Sequence, residues 1–166
     1  MDRPLTVFWT ALFVIVVLYA LATFSPVRAQ ESDPVLILAK TLAGEAGFKQ
    51  RPDHAAMLHV LEWRRKHRPA NIGATLPEVA SVFSTLHWAR LKNPQSDHWR
   101  QVADLTIDTS PEWMVDMIET FLIDPEAVPD PCRGRARDWA AFRVVMERGK
   151  LHRVVRCGRT KNVFLR

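Results

Sequence analysis

The stretch "DPVLILAKTLAGEAGF", residues 33–48, decides how the chain begins to fold. Asp33 suits a helix cap and Pro34 suits a first turn, so a helix is predicted to open there. Leu36, Ile37, Ala39, Lys40, Ala43 and Gly44 recur at helical spacing, and Leu38 and Leu42 widen the apolar face. Gly44 and Gly47 weaken the helix towards its end. Glu45 then falls in the last turn, among small residues. The helix dipole disfavours a carboxylate at that end. An acid in such a place needs a reason, and general acid chemistry is one.

Downstream, Arg51-Pro52-Asp53 reads as a break, with Asp53 as the cap of a second helix running to about His67. The basic run Arg64–Arg68 reads as a solvated helix end that complements the dipole. A loop "PANIGATL" precedes one further helix, "LPEVASVFSTLHW", opened by Thr75 or by Pro77-Glu78. "ARLKNPQSD" ends it, and "DHWRQVADLTID" reads as the next helix. "SPEWMVDMIETFLID" follows, with Ser110 as cap, Pro111 at the first position, and a buried stripe of Val115, Ile118, Phe121 and Leu122. A proline- and glycine-rich connector leads to the helix-like "WAAFRVVMERGKL". The closing "HRVVRCGRTKNVFLR" alternates as a short hairpin or irregular strand would. The expected fold is mostly α: a small helical domain with a minor β element near the C-terminus.

The N-terminus is of a different kind. Leu5 to Phe24 carries no charge, and about 20 apolar residues suffice to span a bilayer as a helix. Val27-Arg28-Ala29 fits a small-x-small cleavage signal. Residues 1–29 are therefore expected to be a signal peptide or a membrane anchor, with the domain proper over 30–166. Either reading exports the domain, to the periplasm or cell envelope. Past residue 29 the chain carries 21 Lys+Arg against 17 Asp+Glu, a net charge of +4, which favours anionic partners such as envelope polymers. The two cysteines, Cys132 and Cys157, are an even count in an exported chain, which favours a disulfide between them. A loop of that length stabilises by about 3 kcal/mol.

Several chemistries are excluded by what the chain lacks. It contains no HExxH, no GxSxG and no glycine-rich phosphate loop. His59 reads as a hydrogen-bonded core histidine, and no metal or cofactor is expected. What remains is one carboxyl at a helix end plus five tryptophans past the N-terminal run: Trp63, Trp88, Trp99, Trp113 and Trp139. Flat rings stack on sugars, and a poorly solvated carboxyl can protonate a glycosidic oxygen. Ordinary glycosidases need a second carboxylate. Glycans with muramic acid offer a way round this, because the sugar's own 6-hydroxyl can attack the anomeric carbon. A lone Glu then serves first as acid and then as base.

"LAKTLAGEAGF…HAAMLHVLEWR" resembles the start of the cell wall hydrolase family of the spore-cortex-lytic-enzyme type, whose first helix ends in a "GEA" tripeptide. "LPEVASVFSTLHW" is similar to that family's helix leading to a Phe-Ser cleft segment. "DPCRGRARDWA" and "CGRTKNVFLR" look like its "DPTxGAxxF" and closing "IGxHxFY" stretches. The resemblance spans Leu38 to Arg166 in order. It implies a lysozyme-like helical fold, a peptidoglycan substrate and Glu45 as the catalytic acid. It suggests Phe83, Ser84 and Trp88 for the cleft. Ser84, Trp88, Trp99 and Trp139 are taken together as candidate glycan contacts.

The chain departs from the family pattern at Lys49 and Gln50, where a second acid is usual, and at Trp63, Arg135 and Asp138. These departures leave open a catalytically degenerate module that binds peptidoglycan or scaffolds the envelope. A membrane-tethered adaptor with a basic surface is the third reading. The expected partners are peptidoglycan strands, plus the membrane if the N-terminal segment stays attached, and no nucleic acid.

Overall fold

A computed structural model describes residues 33–69, 73–83, 85–140, 142–158 and 160–166, without the side chains of residues 83, 85–88, 142 and 143. The expected signal or anchor segment lies outside the described residues. Among the described residues, no helix is long and apolar enough to cross a membrane.

The domain over residues 34–166 is mostly helical, with one small sheet. Helix α1 spans Pro34–Ala46, α2 Arg51–His67, α3 Leu76–Phe83, α4 Thr85–Lys92, α5 Asp97–Ala103 and α6 Glu112–Ile123. A 3-10 turn over Pro125–Ala127 opens the connector. Strand β1 (Asp138–Ala140), helix α7 (Phe142–Glu147), a 3-10 turn (Leu151–Arg153), β2 (Val154–Val155) and β3 (Val163–Leu165) complete the chain.

α1 is the central element. It packs against α2, α3, α4, α5 and α6, which requires apolar residues on more than one side. The run of Leu36, Leu38, Ala39, Leu42 and Ala43, all buried, meets that requirement. Ala39 and Ala43 keep the neighbouring helices close, while Leu38 and Leu42 fill the space between them. Each fully buried leucine contributes about 1.5–3 kcal/mol. The Lys40 ammonium donates to the Ala103 carbonyl at 2.8 Å, at the C-terminal end of α5, where a cation is favoured.

The helix boundaries differ from expectation in instructive ways. α2 begins at Arg51 with Gln50 before it, and Asp53 lies in its first turn rather than capping it. The Asp53 side chain is wholly buried. It accepts hydrogen bonds from the backbone N–H groups of Lys161 at 2.9 Å and Asn162 at 2.6 Å. Arg64 is buried too, so only the rest of the basic run forms a solvated helix end. The single helix expected from Leu76 comes as α3 and α4, and continues to Lys92. Thr75 N–H donates to the Glu78 carboxylate at 2.7 Å, a capping box that holds that carboxyl below its usual range. α5 stops at Ala103, because "DLTID" folds into turns. Its cap is Ser96, whose hydroxyl accepts from Trp99 N–H.

Ser110 does not cap α6. Its hydroxyl donates to the Thr106 carbonyl at 2.7 Å, and Pro111 occupies the cap position. The buried stripe of α6 is Met114, Met117, Ile118 and Phe121. Leu122 is exposed. The two methionines carry the face that Val115 and Leu122 were expected to share. His59 behaves as expected: its Nε2–H donates to the Val128 carbonyl at 2.7 Å, and its ring meets Phe121 edge-on.

The C-terminal third closes as an antiparallel sheet in the order β1-β3-β2. Trp139 and Val155 flank Phe164 across the sheet, and Phe164 is buried. The Cys132–Cys157 disulfide is formed. Asp130 steadies its turn by accepting from the N–H groups of Cys132 and Gly134. The Arg135 guanidinium bridges the carbonyls of Cys132 and Arg156.

Two stability predictions rest on buried polar groups. Replacing Asp53 leaves two buried N–H groups without an acceptor. Asp53→Ala should cost about 3 kcal/mol in urea denaturation, and Asp53→Asn, which keeps one carbonyl oxygen, about half as much. His54 is fully buried, stacked on Trp113, and neither ring nitrogen has a partner at hydrogen-bond geometry. Burial pulls its pKa down to about 4, opposed by the facing backbone of Gly47, the Asp53 charge and the backbone of Leu42. The folded state thus keeps His54 neutral, while the unfolded chain takes up a proton below about pH 6.5. Stability is complete above that value. It should fall by on the order of 3 kcal/mol as pH drops from about 6.5 to about 4. His54→Leu should remove that part of the slope.

Candidate active site

Glu45 lies in the last turn of α1, half-buried. The helix ends because Gly47 takes a left-handed φ of 74°, which a side-chain-bearing residue rarely adopts. Gly47 N–H donates to the Ala43 carbonyl at 2.7 Å, and the chain turns away. The carboxylate is thereby left at the helix end, pointing into a cavity of about 320 Å3. That volume lies at the lower end of the range for small-molecule sites.

The opposite wall of the cavity comes from the far end of the chain. Asp138, Trp139 and Ala140 of β1, Val144 and Val145 of α7, and Leu165 of β3 line it. The Trp139 indole N–H donates to Glu45 Oε2 at 3.4 Å. This contact joins two residues that lie far apart in the sequence, both of them singled out on sequence grounds. At 3.4 Å the bond is long, so it orients the carboxyl more than it stabilises the fold. Oε2 of Glu45 is the oxygen that faces the indole.

Asp138 is a carboxylate that sequence context did not single out for the site. Its only earlier distinction was as a departure from the family pattern. It lines the same cavity and pairs with the Arg64 guanidinium at 3.0 Å. Arg64 also donates through Nε to the Arg137 carbonyl at 2.9 Å. The buried guanidinium of α2 thus grips the start of β1 twice. Burial draws its pKa down to about 10, opposed by the charge of Asp138 and aided by that of Arg68. Arg148 and Lys150 bring two cations to the cavity. Gly149, between them, adopts a φ of 60° and turns the chain just past α7. Their role was not visible in sequence, where they formed part of a helix-like run.

The other expected glycan contacts are less concentrated. Trp99 on α5 does not line the cavity. It meets His98 edge-on, with the Arg90 guanidinium 5.2 Å above its ring. His98 itself reaches the end of α1, its Nε2 lying 3.5 Å from the Gly44 carbonyl and its ring edge-on to Phe48. The α5 aromatic pair therefore flanks the helix end from outside the cavity. Ser84 lies outside the described residues, as do the side chains of Phe83 and Trp88. Trp63 stacks on His67 and carries the Arg137 guanidinium at 4.5 Å, while Trp113 stacks on His54. Those two rings are engaged in packing. Among the described residues, no group of three or more His, Cys, Asp and Glu side chains is placed to hold a metal ion.

No known family, curated protein or solved structure matches the chain.

The Arg64–Asp138 pair should be energetically lopsided. The Arg64 side chain is 7% exposed and that of Asp138 43%. Removing Arg64 as Arg64→Met leaves the Arg137 carbonyl without its donor and detaches β1 from α2, for a loss of about 3 kcal/mol. Asp138→Asn loses a half-solvated partner and should cost about 1 kcal/mol or less. Guanidinium chloride melts of the two variants check the ordering.

Proposed function

We propose that this domain cleaves peptidoglycan glycan strands by lytic transglycosylation, with Glu45 as both acid and base. The observation that carries the reading is the Glu45 carboxyl, set at a helix end in a cavity and held on one oxygen by the Trp139 N–H. Protonated Glu45 gives its proton to the glycosidic oxygen. The bond from that oxygen to the anomeric carbon breaks, and the leaving sugar departs as an alcohol. The 6-hydroxyl oxygen of the same muramic unit closes onto the anomeric carbon. Glu45, now a carboxylate, takes the hydroxyl proton. The product is a 1,6-anhydro ring, no water is consumed, and Glu45 regains its starting form.

The surroundings supply what such a step needs. Ala140, Val144, Val145 and Leu165 give the cavity an apolar wall against which a sugar ring can pack. The Trp139 indole fixes the carboxyl's rotation and presents an aromatic surface beside it. The family resemblance of the "GEA" segment and the lysozyme-like fold that it implies belong to the same proposal.

Asp138 supports a second outcome. It shares the cavity with Glu45, and a second carboxylate is what hydrolysis by activated water requires. Its pairing with Arg64 engages it in holding β1.

Digestion of peptidoglycan sacculi by the oxidised protein, read by mass spectrometry, tests both. Anhydro-muropeptides, lighter by one water than hydrolysis products, are expected. Glu45→Gln should lower their release by at least a hundredfold, and Asp138→Asn by less than tenfold. Reducing-end products that vanish with Asp138→Asn would make Asp138 the base. Full activity in Glu45→Gln would remove the proposal.

A further inference from the structure

Arg148 and Lys150 have no part in the reaction as written, yet both line the Glu45 cavity. They reach it because α7 ends at Glu147 and the chain turns back at Gly149. Arg148 N–H donates to the Val144 carbonyl and Lys150 N–H to the Val145 carbonyl, which fixes the backbone of the turn on the last residues of α7. Neither side chain forms an ion pair with a carboxylate among the described residues. Asp138, the other acid in the cavity besides Glu45, is paired with Arg64 on its own side. The cavity thus brings the Glu45 carboxyl together with two cations set on a hydrogen-bonded turn. Two like charges lining one cavity repel, and an anion bound there relieves that repulsion.

We propose that Arg148 and Lys150 form a carboxylate subsite that selects anionic glycan, strands bearing a free carboxylate next to the scissile bond, over neutral glycan. This inference rests on the reading of Glu45 as the cleaving residue. Arg148 offers a planar fork that matches a carboxylate in bidentate fashion, and Lys150 a mobile point charge beside it. Peptide-bearing strands supply the carboxylates of the stem. Strands stripped of peptide supply the lactyl carboxylate directly on the sugar.

The test compares four substrates with the full-length protein: intact sacculi, sacculi with carboxyls capped as neutral amides, peptide-stripped glycan, and a neutral N-acetylglucosamine oligomer. Cleavage is followed by product release, and binding is followed by co-sedimentation of the Glu45→Gln protein with the insoluble substrates. Capping is expected to reduce both binding and kcat/KM about tenfold. Arg148→Gln/Lys150→Gln should match that loss on intact sacculi and lose nothing more on capped ones. Binding to intact sacculi should weaken with salt. Equal losses on capping and on stripping assign the stem carboxylates. Stripped glycan that is bound and cleaved better than capped sacculi, with that advantage lost in Arg148→Gln/Lys150→Gln, assigns the lactyl carboxylate, which is free only once the peptide is removed.

Equal binding and cleavage of intact and capped sacculi would overturn the subsite while leaving the Glu45 reaction standing. Discrimination in the binding arm, lost in the double variant, with no cleavage of any substrate, would keep the subsite and overturn the reaction. Equal binding to all substrates, with no cleavage, would overturn both.

Discussion

The wholly buried carboxylate of Asp53, closed by the N–H groups of Lys161 and Asn162, is the contact on which the rest of the arrangement depends. A carboxyl group buried in that position is tolerable only because hydrogen-bond donors meet its oxygens. Lys161 and Asn162 immediately precede β3, the central strand of the sheet. Arg64, about three turns further along the same face of α2, holds the start of β1 by its ion pair with Asp138 and its bond to the Arg137 carbonyl. One helix face thus grips two strands of the sheet with opposite charges. Trp139 is aimed at Glu45 because β1 is held at one end by Arg64 and along its length by β3.

The electrostatics of the cavity follow from the same framework. Of the charged groups that line it, Asp138 is matched by Arg64 across the β1–α2 junction. Glu45 meets the neutral indole of Trp139. Arg148 and Lys150 line the cavity from a turn at the end of α7. Under the proposed reaction these groups divide the labour: proton transfer by Glu45, recognition of an anion by Arg148 and Lys150, and a structural role for Asp138. The disulfide and the Arg135 bridges tie the connector before β1 to the segment before β3, so that β1 and α7, which line the cavity opposite Glu45, lie within a cross-linked loop.

Much of this was legible from local pattern. The helix opening at Pro34, its end near Gly47 and the place of Glu45 in its last turn follow from proline, glycine and apolar spacing, which act within a few residues. The second helix ends at His67 as read, and the closing segment forms the expected hairpin-like pair. The cysteine pairing was legible because only one pairing was available. Errors arose where a polar residue had two possible partners. Asp53 and Ser110 both have the composition of caps, but each finds a better partner elsewhere: the N–H groups of Lys161 and Asn162 for one, the Thr106 carbonyl for the other. Arg64 was read as solvated because its neighbours are, whereas its position on α2 turns it to the sheet.

The sequence by itself determined the helical class, the disulfide and the carboxyl at the end of the first helix, because these depend on short-range spacing or on counting. Tertiary structure alone decided which residues surround that carboxyl. Glu45 and Trp139 lie at opposite ends of the domain's sequence, and no local signal relates them. Asp138, Arg148 and Lys150 join them only once β3 has paired with β1 and the residues of α7 line the same cavity. The physical reason is that a cavity is a property of surfaces brought together by folding. Its chemistry is set by side chains whose separation in the chain carries no information about their separation in space.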